Sequence, residues 1–283
     1  MRNRLFLFFS VVMPMIFLFL FLGIFARGDK AALPATMAQV IALTVMGNFW
    51  GLSVQLVTFR EQGILRRFHV APVGAAAMLA SSILSNIALT LPTIVVEFLV
   101  ARWMFHLMSI GNIITVIGLV VLGVVCFASL GLIIASVTNT MQETQVINQL
   151  IWFGFLFISG ATVPLFILPV FVQKFAVFLP ATYLVTSLQA AMARHAGFLV
   201  MIPALVSLIG TTLIAFVLST LLFRWEPEEK ATRKAKLWAT ATIVPFILLG
   251  AWELSYGNLL QQARSFYQPI DLPGQSAPTN NSK

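Results

Sequence analysis

The sequence predicts an all-α polytopic membrane protein. Hydrophobic residues make up 59% of the 283-residue chain and charged residues only 9%, and the mean hydropathy is +0.96. Apolar runs longer than about eighteen residues recur along the chain, several of them rich in its 25 phenylalanines. A soluble domain carries about 25% charged residues and could not cover its surface with so few. Within lipid every backbone amide must be satisfied inside its own segment, so each apolar run is expected as a helix. Spans and short loops account for most of the length and leave no room for a large soluble domain.

A helix rises about 1.5 Å per residue, so roughly 20 residues cross the hydrocarbon core. On that ruler the predicted spans fall at about 5–26, 36–57, 75–101, 109–136, 146–163, 198–223 and 237–256. The first is longer than a signal-peptide core and no small-x-small cleavage site follows it, so it reads as a span that Pro14 kinks. The second carries Gly47-x-x-x-Gly51, a pair of small residues that lets another backbone approach, either within the chain or across a subunit interface. The third contains Glu97 and the seventh Glu253, each about one turn from the outer end of its span by this count. A charge in hydrocarbon is costly and often functional, so headgroup anchoring, with Arg102 as a partner for Glu97, competes with a substrate or ion role. The sole cysteine, Cys126, lies inside the fourth span, which rules out an internal disulfide.

Between the fifth and sixth spans Pro164, Pro169 and Pro180 cut a region at about 164–195 into two pieces of about fifteen residues, roughly 22 Å of helix each. That is too short to cross comfortably. Two half-helices that enter and leave by the same face are expected, shielded by their neighbours. Two short spans would leave the sidedness downstream unchanged.

With the N-terminus inside, the cytoplasmic segments hold ten basic residues: Arg2, Arg4, Arg60, Arg66, Arg67, Arg224, Lys230, Arg233, Lys234 and Lys236. The opposite loops hold five, namely Arg27, Lys30, Arg102, Lys174 and Arg194. This bias places the N-terminus in the cytoplasm, although the fourth-to-fifth connection carries Glu143 and no Lys or Arg. Trp103, Trp225, Trp238, Trp252 and Tyr256 fall near span ends, as an aromatic belt should. The net charge of +8 is distributed between apolar runs, where topology and anionic headgroups account for it, and no nucleic-acid partner is expected.

Enzymatic constellations are scarce. His69, His106 and His195 sit in three different connections, no HExxH or GxSxG is present, and no GxxxxGK[ST] cradles a phosphate. The chain is expected to have no catalytic residue and no metal site, and to be no enzyme by itself.

The cytoplasmic segment after the second span concentrates charge. Thr58 followed by Glu61 fits a capping box that begins a helix over about 58–71. At 100° per residue, Ile64, Leu65, Phe68 and Ala71 share one side, and Gln62, Arg66, Arg67 and His69 the other. Glu61 falls on the apolar side, which suits a cap or a buried partner. Gly63 costs about 1 kcal/mol relative to Ala in a helix and would permit close approach by another surface. Pro72 ends the helix. Such a surface helix is either a topology anchor or a docking element for a cytoplasmic partner.

FREQGILRRFHVAPV (59–73) resembles the segment after the second span in membrane subunits of ATP-binding-cassette type-2 exporters. Arg60, Glu61, Gly63, Leu65, Arg66 and Pro72 stand at matching places, with Ile64 where Thr is frequent. SGATVPLFILPVFVQKFAVFLPATYLVTSLQAAM (159–192) is similar to that family's segment after the fifth span, through Ser159, Gly160, Pro164, Pro169, Pro180, Tyr183 and Gln189. The resemblance covers about residues 1–224.

It implies a six-span type-2 ABC exporter permease core with a re-entrant half-helix hairpin after the fifth span. To this are added a charged cytoplasmic linker (225–236), an extra C-terminal span (237–256) and an extracytoplasmic tail (257–283) expected to be disordered. It further implies a homodimer or heterodimer with a second permease in the bilayer of a cell membrane, a bacterial inner membrane by expectation. A separate P-loop ATPase subunit would bind ATP and Mg. Arg60, Glu61, Gly63, Leu65, Arg66 and Arg67 would then form a coupling helix that meets the ATPase, and Gly160, Pro164, Pro169, Pro180 and Tyr183 would shape the hairpin near the outer face. The expected substrate is a hydrophobic small molecule or lipid-like compound.

Two features depart from the family. Only four residues precede the first span, where an amphipathic elbow helix is usual, and the seventh span is additional. The alternatives are an ion-coupled secondary transporter, which would need midplane ionisable residues and broken helices repeated in both halves, or a non-catalytic assembly subunit.

Overall fold

Apolar runs without interior breakers become long helices here. The computed structural model describes residues 4–25, 32–69, 74–107, 110–226, 238, 241–257 and 259–261, and its regular structure is helical. Four helical stretches are long and apolar enough to cross a membrane: Leu33–Glu61, Ala75–Met104, Ile113–Val137 and Phe198–Leu221. The chain is a multi-pass membrane protein. Arg2, Arg27, Lys30, Ala71, Pro72, the four basic residues of the 225–236 linker after Arg224 and the tail beyond 261 lie outside the described residues.

Helix α1 (Arg4–Phe25) contains Pro14. The second predicted span is two helices, α2 (Leu33–Met46) and α3 (Asn48–Glu61), joined at Gly47. It runs past its expected end because Thr58 Oγ1 donates to Val54 O within α3 (2.7 Å) rather than capping a new helix. The short α4 (Ile64–His69) follows, then α5 (Ala75–Met104). Asn112 starts α6 (Ile113–Val137), its side chain accepting from Thr115 N at 3.2 Å. Thr140 starts α7 (Met141–Ile158) in the same way, accepting from Glu143 N at 3.2 Å, so this helix begins before the predicted 146.

The proline-cut region is less even than the sequence suggests. Pro164 precedes a single 3-10 turn, Leu165–Ile167. Pro169 precedes α8 (Val170–Ala176), and Pro180 opens α9 (Pro180–Ala193), the positions where a missing N–H costs nothing. The two helices have 7 and 14 residues rather than two equal pieces, and they meet at 94°. A 3-10 turn (Phe198–Met201) leads into α10 (Ile202–Leu221).

The predicted seventh span, 237–256, is described only in part, since residues 237, 239 and 240 lie outside the described residues. Its described helix, α11 (Val244–Tyr256), has 13 residues and a 3-10 turn before it. At about 1.5 Å per residue it reaches roughly 20 Å, short of the hydrocarbon core. Glu253 does not reach headgroup water either. It is buried, and its Oε1 accepts from Leu259 N at 2.7 Å, folding the chain back after Gly257.

Helix α6 occupies the centre, against α3 on one side and α10 on another, while α9 lies against α2 and is buried along nearly all its length. In lipid, packing rather than water exclusion holds helices together, so close approach and shape dominate. Gly131 on α6 sits directly on the Phe49 main chain of α3, and Gly123 faces Val45 and Leu184. Around Phe49 the rings of Phe155 (5.5 Å) and, beyond it, Phe127 (5.4 Å from Phe155) stack edge to face.

Candidate functional site

The charged segment after the second span is built as a corner rather than one helix. At the end of α3, Gln62 N donates to Thr58 O (3.0 Å) and Gly63 N to Arg60 O (2.9 Å). Gly63 then adopts φ +67°, the left-handed conformation that ends helices and that glycine adopts without penalty. The capping-box reading of Thr58 and Glu61 is therefore corrected: both belong to the last turn of α3. Among the described residues nothing lies within 4 Å of a Cβ added at Gly63, so within the chain it is the backbone angle that requires glycine.

Arg60 turns inward. It is 4% exposed, and its Nη1 and Nη2 donate to Ala135 O (2.9 Å) and Thr138 O (2.7 Å). These carbonyls close α6, where a helix leaves its last acceptors unpaired and carries the negative end of its dipole. Arg224, just beyond α10, reaches the same turn, with Nη2 on Thr138 O (2.5 Å) and Nη1 on Asn139 Oδ1 (3.0 Å). Glu143 Oε2 accepts from Asn139 N at 2.7 Å, and Glu61 Oε1 accepts from Met141 N at 2.8 Å, capping α7. The ends of α3 and α10 are thereby clamped onto the α6–α7 turn.

Of the six residues assigned to coupling, two are thus excluded from direct docking. Arg60 is committed to α6, and Leu65, 1% exposed, belongs to a buried cluster with Leu56, Val57, Leu79, Leu132 and Ala135. Glu61 caps and Gly63 turns. Arg66 and Arg67 are the pair that faces outward. Arg66 Nε lies 3.9 Å from Glu226, an exposed pair worth about 0–1 kcal/mol. Arg224, Thr138 and Asn139 were not legible as partners. The available hint was a connection bearing Glu143 and no cation of its own, which two arginines from elsewhere now serve. Replacing Glu61 with alanine is expected to lower stability by about 1 kcal/mol through loss of the α7 cap, measured as a shift in thermal unfolding in detergent.

The other predicted positions are dispersed. Gly160 has φ +85°, and its carbonyl accepts from Gln39 Nε2 at 2.8 Å, tying the segment before α8 to α2. Pro164, Pro169 and Pro180 start the elements described above. Tyr183 is buried in α9, and its hydroxyl has no hydrogen-bond partner among the described residues. Among the described residues, Gly47 and Gly51 carry no helix packing. A Cβ on Gly51 would meet nothing within 4 Å, and one on Gly47 only carbonyls of its own preceding turn, so the intramolecular half of that reading is corrected. Glu97 lies in α5 with no exposed surface, its Oε1 accepting from Thr44 Oγ1 at 2.6 Å. The expectation of headgroup water with Arg102 as partner is corrected accordingly.

A bundle of apolar helices with a short basic helix at one end defines a multi-pass membrane protein. Residues 1–193 match the ABC-2 type transporter family, and the chain belongs to it. Over 171 residues it is 28% identical to the linearmycin resistance permease protein LnrN of Bacillus subtilis (strain 168). The aligned stretch covers 60% of this chain and 44% of that protein, so the chain spans less than half the length of this relative. No solved structure matches it.

Proposed function

We propose that the chain is the permease subunit of an ATP-driven exporter. It forms the translocation path with a second permease, identical or homologous, and is driven by a separate P-loop ATPase that holds ATP and Mg. The observation that supports this most is the corner at α3–α4. Arg66 and Arg67 face outward on α4, which is packed through Leu65 against α3, α5 and α6, and the end of α3 just before it is bonded through Arg60 and Glu61 to the end of α6 and the start of α7. A push on α4 would reach α6 through the packing of Leu65, and the α6–α7 turn through the hydrogen bonds at the adjoining end of α3, rather than being lost in a loose loop. ATPase closure would then bias the bundle between inward- and outward-facing states. In this reading the N-terminus is cytoplasmic in a bacterial cell membrane, α8 and α9 form a re-entrant hairpin near the outer face, and the substrate is hydrophobic or lipid-like.

Reversing both charges, Arg66→Glu with Arg67→Glu, tests the reading. Exposed substitutions of this kind shift stability by less than about 0.5 kcal/mol, so the unfolding temperature is expected to hold. Co-purification of a P-loop ATPase from native membranes is expected to fall at least about tenfold, a change of about 1.4 kcal/mol in association. ATPase recovery at the wild-type level would sink the docking role, and ATPase binding without nucleotide-dependent transport would leave an assembly subunit instead.

A further inference from the structure

A cleft of about 650 Å³ opens between α1, α2, α3, α5 and α7. Its walls are largely apolar, with Phe17, Trp50 and Trp152 among them, and Met13 and Leu89 stand half-exposed at its mouth on the face of the bundle. One strip is different. Asn86, Thr90 and Thr93 line the cleft from α5 at a spacing of i, i+4 and i+7, a single stripe of the helix with about 5 Å between turns. Thr44 and Asn48 line it from the opposite side, one turn apart on α2 and α3.

The hydrogen-bond accounting along this strip indicates what would complete it. The hydroxyls of Thr44, Thr90 and Thr93 have committed their protons to Glu97 Oε1 (2.6 Å), Asn48 Oδ1 (3.0 Å) and Leu89 O (3.2 Å). Asn48 Nδ2 donates to Val45 O at 2.9 Å. The three threonine oxygens therefore face the cleft with acceptor lone pairs. Asn86 Nδ2, with no accessible surface and no partner among the described residues, is an unmet donor that a rotation of its amide would turn into the cleft. Among the described residues, no Asp, Glu, Lys, Arg or His lines the cleft. A plain acyl chain would satisfy the aromatic walls and leave the Asn86 amide unmet, at the cost that attaches to any buried unpaired donor. A charged head would find no counter-charge in a low-dielectric setting.

We infer that the cleft binds a neutral, hydroxyl-bearing amphiphile that enters sideways from the bilayer. Its hydroxyls donate to Thr44, Thr90 and Thr93, one of its oxygens accepts from Asn86 once that amide rotates into the cleft, and its apolar body lies against Trp50 and Trp152. That this molecule is also the transported substrate rests on the exporter reading; its binding does not.

The two cleft tryptophans, with ring centroids 6.5 Å apart, provide the readout. Full-length chain in phosphatidylcholine nanodiscs is titrated with dibrominated monoolein, dibrominated methyl oleate and dibrominated oleate, whose bromines quench indole fluorescence on contact. Monoolein is expected to reach half-quenching at about five- to tenfold lower mole fraction than the methyl ester, the worth of one or two neutral hydrogen bonds, with oleate weakest. Asn86→Leu is expected to erase this preference while leaving the unfolding temperature equal or higher, because it removes an orphaned amide. Trp50→Phe with Trp152→Phe is expected to remove the selective quenching.

Equal quenching by the two esters would mean bulk lipid and overturn the inference, as would a preference that survives Asn86→Leu. Absence of quenching combined with disulfide-linked dimers of Leu89→Cys would assign the cleft to a second copy of the chain, and overturn it as well. Neither ATPase nor nucleotide enters this titration. A chain that binds monoolein selectively but never pairs with an ATPase keeps the cleft and loses the exporter, and the reverse result separates them equally well.

Discussion

Replacing Arg60 with alanine is expected to destabilise the protein by about 3 kcal/mol, the low end of the cost of breaking a buried charged contact. The guanidinium is nearly inaccessible and donates two charge-assisted bonds to the last carbonyls of α6. Each such bond is worth about 1.5–3 kcal/mol when the acceptor stays buried. Thr138 O keeps Arg224 as a donor, so Ala135 O is the carbonyl left bare. This holds the expected cost to the lower end and makes it specific. Arg60→Lys is expected to recover about half, since an ammonium is a point donor and cannot span two carbonyls as a planar fork does. Removing Arg60 and Arg224 together is expected to cost more than the sum of the single changes, because only the double variant strips Thr138 O of both donors. For a chain of this size about 3 kcal/mol corresponds to a fall of roughly 6–12 °C in unfolding temperature. An alanine variant that unfolds with the wild type, while Arg66→Glu with Arg67→Glu abolishes ATPase recovery, would separate the clamp from the docking face and show the clamp to be dispensable.

The same residue shows where sequence reading stops. Charge density in an apolar chain makes the stretch from Arg60 to Arg67 conspicuous, and the motif points at a partner. Nothing local says that Arg60 turns inward, because its partners are backbone carbonyls at Ala135 and Thr138, and a carbonyl has no sequence signature. Glu61 is similar: its acceptor role is fixed by Met141 N, eighty residues away. Hydropathy located the long spans well, since desolvation acts on each segment alone. Of 237–256 the described helix is α11, with Pro245 in its first turn. The prolines of the broken region cut it as expected, but into a 3-10 turn and helices of 7 and 14 residues rather than two equal pieces, and α9 packs along α2, which periodicity does not encode. The i, i+4 and i+7 spacing of the polar stripe of α5 is present in the sequence but is not singled out by sequence reasoning. Only the arrangement of α2 and α3 opposite it shows that the stripe lines a cleft.

Gly131→Ala is expected to cost about 3 kcal/mol, the upper end of overpacking penalties, because the obstacle is main chain. A methyl at this position would overlap the carbonyl and Cα of Phe49, and a backbone cannot rotate aside as a side chain can. Helix α3 would have to move off α6, carrying Phe49 away from the edge-to-face contact it makes with Phe155. The contrast lies in the glycines that the sequence marks most clearly. Gly51→Ala adds a methyl to open space and replaces a poor helix former, a gain of up to about 1 kcal/mol, so its unfolding temperature is expected to hold or rise. Gly47→Ala meets its nearest neighbour, Thr44 O, at 3.4 Å and is expected to be close to neutral. Both positions line the cleft, so each substitution is expected to weaken monoolein quenching without weakening the fold. Should Gly51→Ala prove the destabilising change and Gly131→Ala the harmless one, the G-x-x-x-G pair would be a packing seam after all, and the cleft would be the place where a second subunit sits. The physical distinction is whether a glycine is small because a neighbour's backbone touches it or because a space must stay open beside it; Gly131 meets the first condition and Gly51 the second.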